Sequence, residues 1–280
     1  MTASGIPVLG TTFQNPVLLA AGTAGFGREV AGVIDLEALG GLVTKAVTPE
    51  PRRGHPGPRV AEFRGGMLNA VGLANPGLDH VAATDLPWLA RLERARVIVN
   101  VAGRTVEDYA RVVERLTPLA LVVAFELNAS CPNTSAGGIE FGASAPVLAE
   151  LVRRCRAVTV KPLVAKLSPA VPDVAALAQA ARDAGADAVS LVNTMPGELS
   201  GTLGNGFGGM SGPALLPVGV RATRLVRERV DIPVIGVGGI RTAADAREYL
   251  RAGATLVAIG TAALADPRVP ERVAWGLRRG

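Results

Sequence analysis

Five strand-length apolar runs in this sequence end in amide or ammonium side chains. The residues at these ends are Lys45, Asn100, Asn128, Lys166 and Asn193. The chain has only three Lys and eight Asn, so chance does not explain their placement. A lysine that ends a buried strand is costly unless an anion meets it, although it can also snorkel to the rim of a fold. The pattern therefore predicts a site for an anionic group.

Glycines follow the next two apolar runs, at Gly238-Gly239 and at Gly260-Thr261. Backbone N–H groups that no side chain covers bind phosphate at such positions, and Gly212 is placed to contribute another N–H group. The glycines lack the G-x-G-x-x-G spacing of a dinucleotide fold. We therefore predict a phosphate cradle formed by two strand ends.

Cys131 is the candidate for proton transfer. It lies in a polar segment, 128–133, that opens a glycine-rich loop. A free thiol titrates near ~8.5, so nearby cations can make its thiolate available as a base. Neither of the two His residues is placed to assist an acyl transfer, which favours proton abstraction. Cys155 lies on an apolar helix face and is predicted to be a buried, inert thiol.

The elements that position these residues repeat as strand and helix. Continuous, β-branched-rich runs are typical of a parallel sheet covered by helices. The predicted strands are 17–21, 42–47, 97–101, 121–127, 163–167, 188–192, 234–237 and 256–259. The predicted helices include 106–115, 146–154, 174–184, 218–229 and 243–252. Eight such units predict an α/β fold, a single-domain (β/α)8 TIM barrel over residues 1–280, with a doubly wound open sheet as the alternative.

Two Pro- and Gly-rich stretches, 49–58 and 196–213, are predicted to be long loops at the active-site face of this barrel.

Composition excludes several other classes of protein. The formal net charge is +5, and the arginines are scattered along helices rather than clustered as a nucleic-acid surface requires. Two distant cysteines cannot hold a four-thiolate metal or iron–sulfur site, and no metal site is expected. No uninterrupted apolar stretch could span a membrane, and the N-terminus lacks the layout of a signal peptide. We therefore expect a cytoplasmic protein.

A phosphorylated planar cofactor that becomes anionic on reduction would use all of these groups. FMN fits, with its phosphate on the glycines and a lysine near its ring.

At these motifs the sequence resembles the class 1 dihydroorotate dehydrogenases over nearly its whole length. The motifs that carry the resemblance are Ala20-Ala21-Gly22, Thr44-Lys45-Ala46-Val47-Thr48, Asn69-Ala70-Val71-Gly72-Leu73-Ala74-Asn75-Pro76-Gly77, Asn128-Ala129-Ser130-Cys131-Pro132-Asn133, Lys166-Leu167-Ser168-Pro169, Val192-Asn193-Thr194, Gly208-Gly209-Met210-Ser211-Gly212-Pro213, Gly238-Gly239-Ile240 and Gly260-Thr261.

The resemblance implies a role for each matching residue. Cys131 would remove a proton from dihydroorotate while a hydride passes to FMN, giving orotate. The residues implied to bind this substrate are Lys45, Asn69, Ala70, Val71, Gly72, Leu73, Asn128, Asn133, Asn193 and Thr194. The residues implied to bind FMN are Ala21, Lys45, Ala46, Asn100, Asn128, Lys166, Val192, Gly212, Gly238, Gly239, Gly260 and Thr261.

The resemblance also implies partners. A cysteine base is similar to class 1 rather than to the membrane-associated class 2, whose N-terminal extension is not expected here. The Ser-Gly-Pro-Ala and Gly-Gly-Ile stretches resemble the NAD-linked subgroup. That subgroup pairs a catalytic homodimer with a subunit carrying FAD and a [2Fe–2S] cluster, giving a heterotetramer. A fumarate-reducing homodimer is the alternative.

Segment 195–205 departs from the family pattern and has Gly197-Glu198 where a Gly-Met pair is frequent. Oxidation of another reduced pyrimidine is therefore a second hypothesis. A flavin-free barrel, either a Schiff-base lyase using Lys166 or a non-catalytic subunit, is a third.

Overall fold

The computed structural model describes residues 5–129 and 141–279. The strands in these ranges are β1 (Ile6–Val8), β2 (Thr11–Phe13), β3 (Val17–Leu19), β4 (Gly41–Val43), β5 (Val60–Phe63), β6 (Gly66–Asn69), β7 (Arg96–Val101), β8 (Val122–Leu127), β9 (Leu163–Leu167), β10 (Ala188–Leu191), β11 (Met195–Gly197), β12 (Gly208–Ser211), β13 (Val234–Val237) and β14 (Leu256–Ile259).

The α-helices in the same ranges are α1 (Leu78–His80), α2 (Leu86–Leu89), α3 (Val106–Leu116), α4 (Ala145–Arg156), α5 (Val174–Asp183), α6 (Leu216–Arg229), α7 (Ala243–Arg251), α8 (Thr261–Ala265) and α9 (Val269–Arg278). A π-helical segment, Val81–Asp85, joins α1 to α2, and 3₁₀ turns lie at Leu36–Ala38 and Pro213–Leu215.

Eight parallel strands close into a barrel in sequence order, β3-β4-β7-β8-β9-β10-β13-β14, with β14 paired back to β3. Each of the eight predicted strands corresponds to one of these. The predicted (β/α)8 barrel is therefore confirmed, and the open sheet is excluded. That the whole chain, 1–280, forms one domain stays a prediction.

Side chains alternate between the two faces of the barrel wall. On β7, Val97, Val99 and Val101 belong to the large core cluster that the helices cover. Ile98 belongs instead to a second cluster, which fills the barrel interior with residues of the other strands. The next inward position on β7 is Asn100, because side chains on one face recur every second residue.

The interior is closed at the N-terminal end of the strands by the β1–β2 hairpin. Phe13 is fully buried and, together with Leu9, packs in the interior cluster with residues such as Leu18 and Val164. The apolar filling therefore lies at this end, and the inward polar positions lie towards the opposite end.

Local sequence fixes where several helices begin and end. Thr105 and Thr242 form capping boxes with Asp108 and Asp245 at the starts of α3 and α7. A glycine stop follows α5, where Gly185 has a φ of +105° that a side chain would disfavour.

One predicted strand end and one predicted loop were wrong. The second barrel strand ends at Val43 rather than residue 47, so Lys45 lies two residues beyond it. The stretch 196–213 is not simply a loop, because it contains β12 and most of β11, which join β6 and β5 in an antiparallel sheet of order β11-β12-β6-β5. We call this sheet the cover sheet. Its strands β11 and β12 are short and contain glycines, which have no side chain, so the sequence shows no alternation of side chains there.

None of the helices found in the described ranges is both long enough and apolar enough to cross a bilayer.

Candidate active site

The residues predicted to bind substrate and FMN fall into three groups. The first group lies at or just beyond the C-terminal ends of barrel strands and comprises Ala21, Lys45, Ala46, Asn100, Asn128, Lys166, Val192, Asn193, Thr194, Gly238, Gly239, Gly260 and Thr261. The second lies on the cover sheet or directly after one of its strands and comprises Asn69, Ala70, Val71, Gly72, Leu73 and Gly212. The third, Cys131 and Asn133, lies outside the described residues.

Three inward side chains form a buried polar cluster on the adjacent strands β7, β8 and β9. Asn100 Nδ2 donates to Glu126 Oε1 at 2.7 Å, and Lys166 Nζ lies 3.5 Å from the same oxygen. The side chains of Lys166 and Glu126 are only 8% and 3% exposed. The predicted anionic partner of Lys166 therefore includes a carboxylate of the protein itself.

Two buried acceptors near this cluster lack a partner among the described residues. They are Asn100 Oδ1 and Ser190 Oγ. Ser190 on β10 is the register partner of Lys166 on β9, so it lies beside the cluster. Buried polar atoms without partners are rare in folded proteins, and here they indicate where a ligand completes the hydrogen bonding.

Lys45 is the second cation of the site. Its backbone N–H donates to Gly25 O at 2.8 Å, and its neighbour Thr44 accepts a bond from the Asn100 N–H. Within the described ranges, the Lys45 ammonium makes no hydrogen bond or ion pair. Lys45 is half-buried, whereas Lys166 is buried and paired.

Two amides predicted to hold substrate lie side by side. Asn193 Nδ2 donates to Asn128 Oδ1 at 3.5 Å. The backbone carbonyl of Asn128 accepts from the buried hydroxyl of Tyr109 at 2.9 Å. Helix α3 thereby fixes the end of β8, from which the segment carrying Cys131 continues.

The predicted substrate segment, 69–73, is held by the cover sheet and by a buried amide. Asn69 Nδ2 donates to Gly209 O at 3.1 Å across the β6–β12 pair. At its other end, Leu73 takes a left-handed φ of +56°, and its carbonyl accepts from Asn75 Nδ2 at 2.8 Å. Asn75 also accepts from the Gly77 N–H, so one side chain shapes the whole turn.

The glycines predicted to form the phosphate cradle lie after neighbouring strands. Gly238 and Gly239 have φ values of +120° and +74°, and a Cβ at Gly239 would lie 2.5 Å from the backbone nitrogen of Leu216. Gly260 precedes α8, and a Cβ there would meet only Ala20 and Thr23, at 3.6 Å. The turn at Gly260 therefore leaves space for an anion, whereas the turn at Gly239 is packed so closely against Leu216 that only glycine fits.

Tyr249 on α7 lies underneath this cradle. Its hydroxyl donates to the carbonyl oxygens of Val237 and Gly238, each at 2.8 Å. The ring is fully buried, and burial raises the pKa of its hydroxyl. The neutral hydroxyl thus stays a donor to the carbonyls at the end of β13.

Cys155 has the environment predicted for it. It is fully buried in α4, and burial raises the pKa of its thiol to about 12. Its thiolate is therefore scarce near neutral pH, and the prediction that it is an inert thiol is supported.

Sequence reasoning did not select Glu126, Tyr249 or Asn75 as site residues. Glu126 occurs in the same strand end as Asn128, two residues earlier, which is the spacing of one face of a strand. That spacing is a signal that could have identified it. Tyr249 lies mid-helix and gives no such signal, since its role depends on how α7 packs under β13.

No group of three or more His, Cys, Asp or Glu residues within the described ranges could hold a metal ion.

A closed parallel barrel with one buried and one half-buried cation, amides and glycine turns at the C-terminal ends of its strands defines a (β/α)8-barrel enzyme site. The family model for dihydroorotate dehydrogenase matches residues 5–279, and the chain belongs to this family. Membership confirms the predicted oxidoreductase class and implies a flavin cofactor.

Three relatives illustrate how close the similarity is. The chain is 48% identical over 280 residues to the dihydroorotate dehydrogenase B (NAD(+)) catalytic subunit of Desulforudis audaxviator, covering 98% of this chain and 91% of the relative. Proteins of the same name from Geobacillus kaustophilus and Cutibacterium acnes are 47% and 46% identical. Those alignments cover 96% and 99% of this chain, and 88% and 92% of the relatives.

Proposed function

We propose that this chain oxidises dihydroorotate to orotate in pyrimidine biosynthesis, with FMN as its cofactor. One observation carries the proposal: in a member of the dihydroorotate dehydrogenase family, the buried Lys166 cluster and the glycine turns lie at the same end of one closed barrel. Both the ring and the phosphate of a flavin then have protein groups suited to them.

The residues present fit FMN. Asn100 Oδ1 is a buried acceptor without a partner among the described residues, and the flavin ring has an imide N–H to donate. Lys166 would supply positive charge to the bound ring, which favours a flavin that becomes negative on reduction. Gly238, Gly239 and Gly260 would hold the phosphate through backbone N–H groups.

When bound, FMN supplies the hydride acceptor. Cys131 removes a proton from one carbon of dihydroorotate, and the neighbouring carbon loses the hydride. Two C–H bonds therefore break and a C=C double bond forms between these carbons. Lys45 has no protein anion to pair with in the described ranges, so it is suited to the substrate carboxylate. Asn128 and Asn193 orient the ring amides of the substrate, and the segment 69–73 encloses it from the cover sheet.

The electron acceptor is proposed from the relatives. Their names include NAD and describe a catalytic subunit. We infer that this chain, as a homodimer, passes electrons to a second subunit that carries FAD and a [2Fe–2S] cluster and reduces NAD. The alternative acceptor, fumarate, needs no such subunit. The cytoplasmic location stays a prediction.

The proposal is tested by an anaerobic visible spectrum of the purified chain before and after addition of dihydroorotate. We expect a yellow protein that bleaches. A yellow protein that dihydroorotate leaves oxidised would favour another reduced pyrimidine, as the departure in segment 195–205 suggests. A protein that takes up no flavin would contradict the proposal and favour a flavin-free barrel.

The two cysteines provide a matched pair of variants for the same spectrum. Cys131→Ala should keep FMN and bleach at least a hundredfold more slowly, because a general base contributes about 10²–10⁴-fold. Cys155→Ala, which removes the buried thiol, should bleach at the rate of the unmodified chain. Equal bleaching by both variants would overturn the assignment of Cys131.

A further inference from the structure

Glu126 joins two residues that are each predicted to bind FMN. Its Oε1 accepts from Asn100 Nδ2 at 2.7 Å and lies 3.5 Å from Lys166 Nζ. The three residues occupy the adjacent strands β7, β8 and β9, and Asn100 is the register partner of Glu126. No role for Glu126 follows from the motifs that carried the family resemblance.

Stability alone is a poor explanation of this carboxylate. Replacing a buried ion pair by apolar side chains of similar volume is often neutral or stabilising, because desolvating both charges is expensive. Here the contact between Glu126 and Lys166 is long and involves one oxygen only, so their attraction offsets little of the free energy of desolvation. The neighbouring layer of the barrel interior, which includes Ile98, Ala124 and Val164, is apolar. Apolar side chains could equally have filled the position of Glu126.

The contact with Asn100 also fixes which way that amide faces. Because a carboxylate can only accept, the Nδ2 end must point to Glu126. The Oδ1 end is then presented away from Glu126 as a buried acceptor, and it has no partner among the described residues. The Glu126 carboxylate therefore orients the acceptor Asn100 Oδ1 and offsets the positive charge of Lys166.

We propose that Glu126 is a positioning residue that sets the reduction potential of the bound flavin, by offsetting the charge of Lys166 and orienting the amide of Asn100. This inference rests on the proposed function. A lysine near the flavin ring stabilises the negative charge that the ring gains on reduction, and a nearby carboxylate opposes that effect. Charges this poorly exposed to water interact strongly, since solvent screens them little.

The variant Glu126→Gln tests the proposal because it removes the charge and keeps the shape. We expect the midpoint potential of bound FMN to rise, with reduced flavin bound at least tenfold more tightly relative to oxidised flavin. For a two-electron couple this corresponds to about 30 mV. The potential is measured by anaerobic titration against reference dyes, without dihydroorotate. An unchanged or lowered potential would overturn the proposal.

A matched surface control is Glu150→Gln. Glu150 pairs with Arg153 on the exposed face of α4 at 3.4 Å, so this variant also loses one ion pair and one negative charge. Its flavin potential should equal that of the unmodified chain. An equal rise in both variants would attribute the shift to net charge and overturn the specific role of Glu126.

Coupling to Lys166 separates a positioning role from a merely structural one. In a Lys166→Gln background, the further change Glu126→Gln should raise the potential by less than it does in the unmodified chain, because the positive charge that Glu126 offsets is absent; an equal rise would show that Glu126 does not act through Lys166. If the single Glu126→Gln variant fails to fold, Glu126→Asp serves instead. It keeps the charge but shortens the side chain, and should raise the potential in the same direction by less.

The proposed function and the proposed role of Glu126 are contradicted by different results. An unmodified chain that takes up no FMN contradicts the proposed function, and this inference with it. An unmodified chain that binds FMN and is bleached by dihydroorotate, with a potential that does not respond to Glu126→Gln, contradicts the inference alone.

Discussion

Gly239 and Gly10 adopt similar left-handed backbones at opposite ends of the barrel. Their φ values are +74° and +65°. A Cβ at Gly239 would lie 2.5 Å from the backbone nitrogen of Leu216, whereas a Cβ at Gly10 would have its nearest neighbour at 3.9 Å. The backbone strain of a substitution is therefore matched at the two positions, and only the surroundings differ.

This pair gives a prediction at the scale of the residue. Both Gly239→Ala and Gly10→Ala should lose about 1–2 kcal/mol of unfolding free energy from the positive φ. Only Gly239→Ala should also weaken FMN binding, by at least tenfold, because Leu216 and the backbone must shift at the proposed phosphate turn. Titration of apoprotein with FMN, followed by flavin fluorescence, measures this. Equal affinities would contradict the assignment of the turn to the phosphate.

The chemistry of single residues was predictable where it coincides with a strand end. Lys166 and Asn100 were identified because each closes an apolar run. The contact that joins them through Glu126 was not predictable. It links residues 26 and 40 positions apart, and it depends on the register between neighbouring strands, which the order of the strands does not determine.

At the scale of the element, helix α7 connects surface capping to the site. Thr242 Oγ1 accepts from the Asp245 N–H at 3.2 Å, and Asp245 accepts from the Thr242 N–H at 2.8 Å. One helical turn further on, the same helix carries Tyr249, whose hydroxyl holds the carbonyl of Gly238. A cap at the surface thus helps to fix a residue beneath the proposed phosphate cradle.

Thr242→Ala should lower the unfolding free energy by about 1 kcal/mol, the usual cost of losing a threonine N-cap. Thr242→Ser should recover most of this loss, since its hydroxyl can still accept. Thr84→Ala is the control, because Thr84 is exposed and its hydroxyl makes no hydrogen bond within the described ranges. Urea unfolding measures all three variants, and an equal loss for Thr84→Ala would argue against the cap.

Elements with a distinct pattern of apolar residues were predicted well, and elements without such a pattern were missed. The barrel strands are continuous apolar runs and α3 to α7 are amphipathic, so both kinds were recognised. The cover sheet was not predicted, because the sequences of β11 and β12 are Met-Pro-Gly and Gly-Gly-Met-Ser. Such segments resemble turns until a partner strand is known, and here the partner β6 lies about 140 residues away.

At the scale of the whole molecule, the barrel is filled unequally along its axis. The end closed by the β1–β2 hairpin holds apolar side chains, with Phe13 fully buried. The opposite end holds Asn100, Glu126 and Lys166. Stability is therefore expected to depend most on the first end and flavin chemistry on the second.

Phe13→Ala should lower the unfolding free energy by about 3–5 kcal/mol, as for other buried phenylalanines. The flavin potential and the rate of bleaching by dihydroorotate should stay unchanged in the protein that remains folded. Thr12→Ala, on the exposed face of the same hairpin, should alter neither property. Urea unfolding and the anaerobic spectrum together test this, and a shifted flavin potential in Phe13→Ala would show that the two ends are coupled.

The separation between the cover sheet and the barrel bears on how this protein can change over evolutionary time. The proposed flavin contacts lie mainly on barrel strand ends, whereas the substrate segment 69–73 is shaped by strands outside the closed barrel. Insertions or replacements in 195–211 can therefore alter the substrate enclosure without changing barrel register. The same arrangement makes the cover sheet a natural unit to graft when a laboratory wishes to redirect this scaffold to a new substrate.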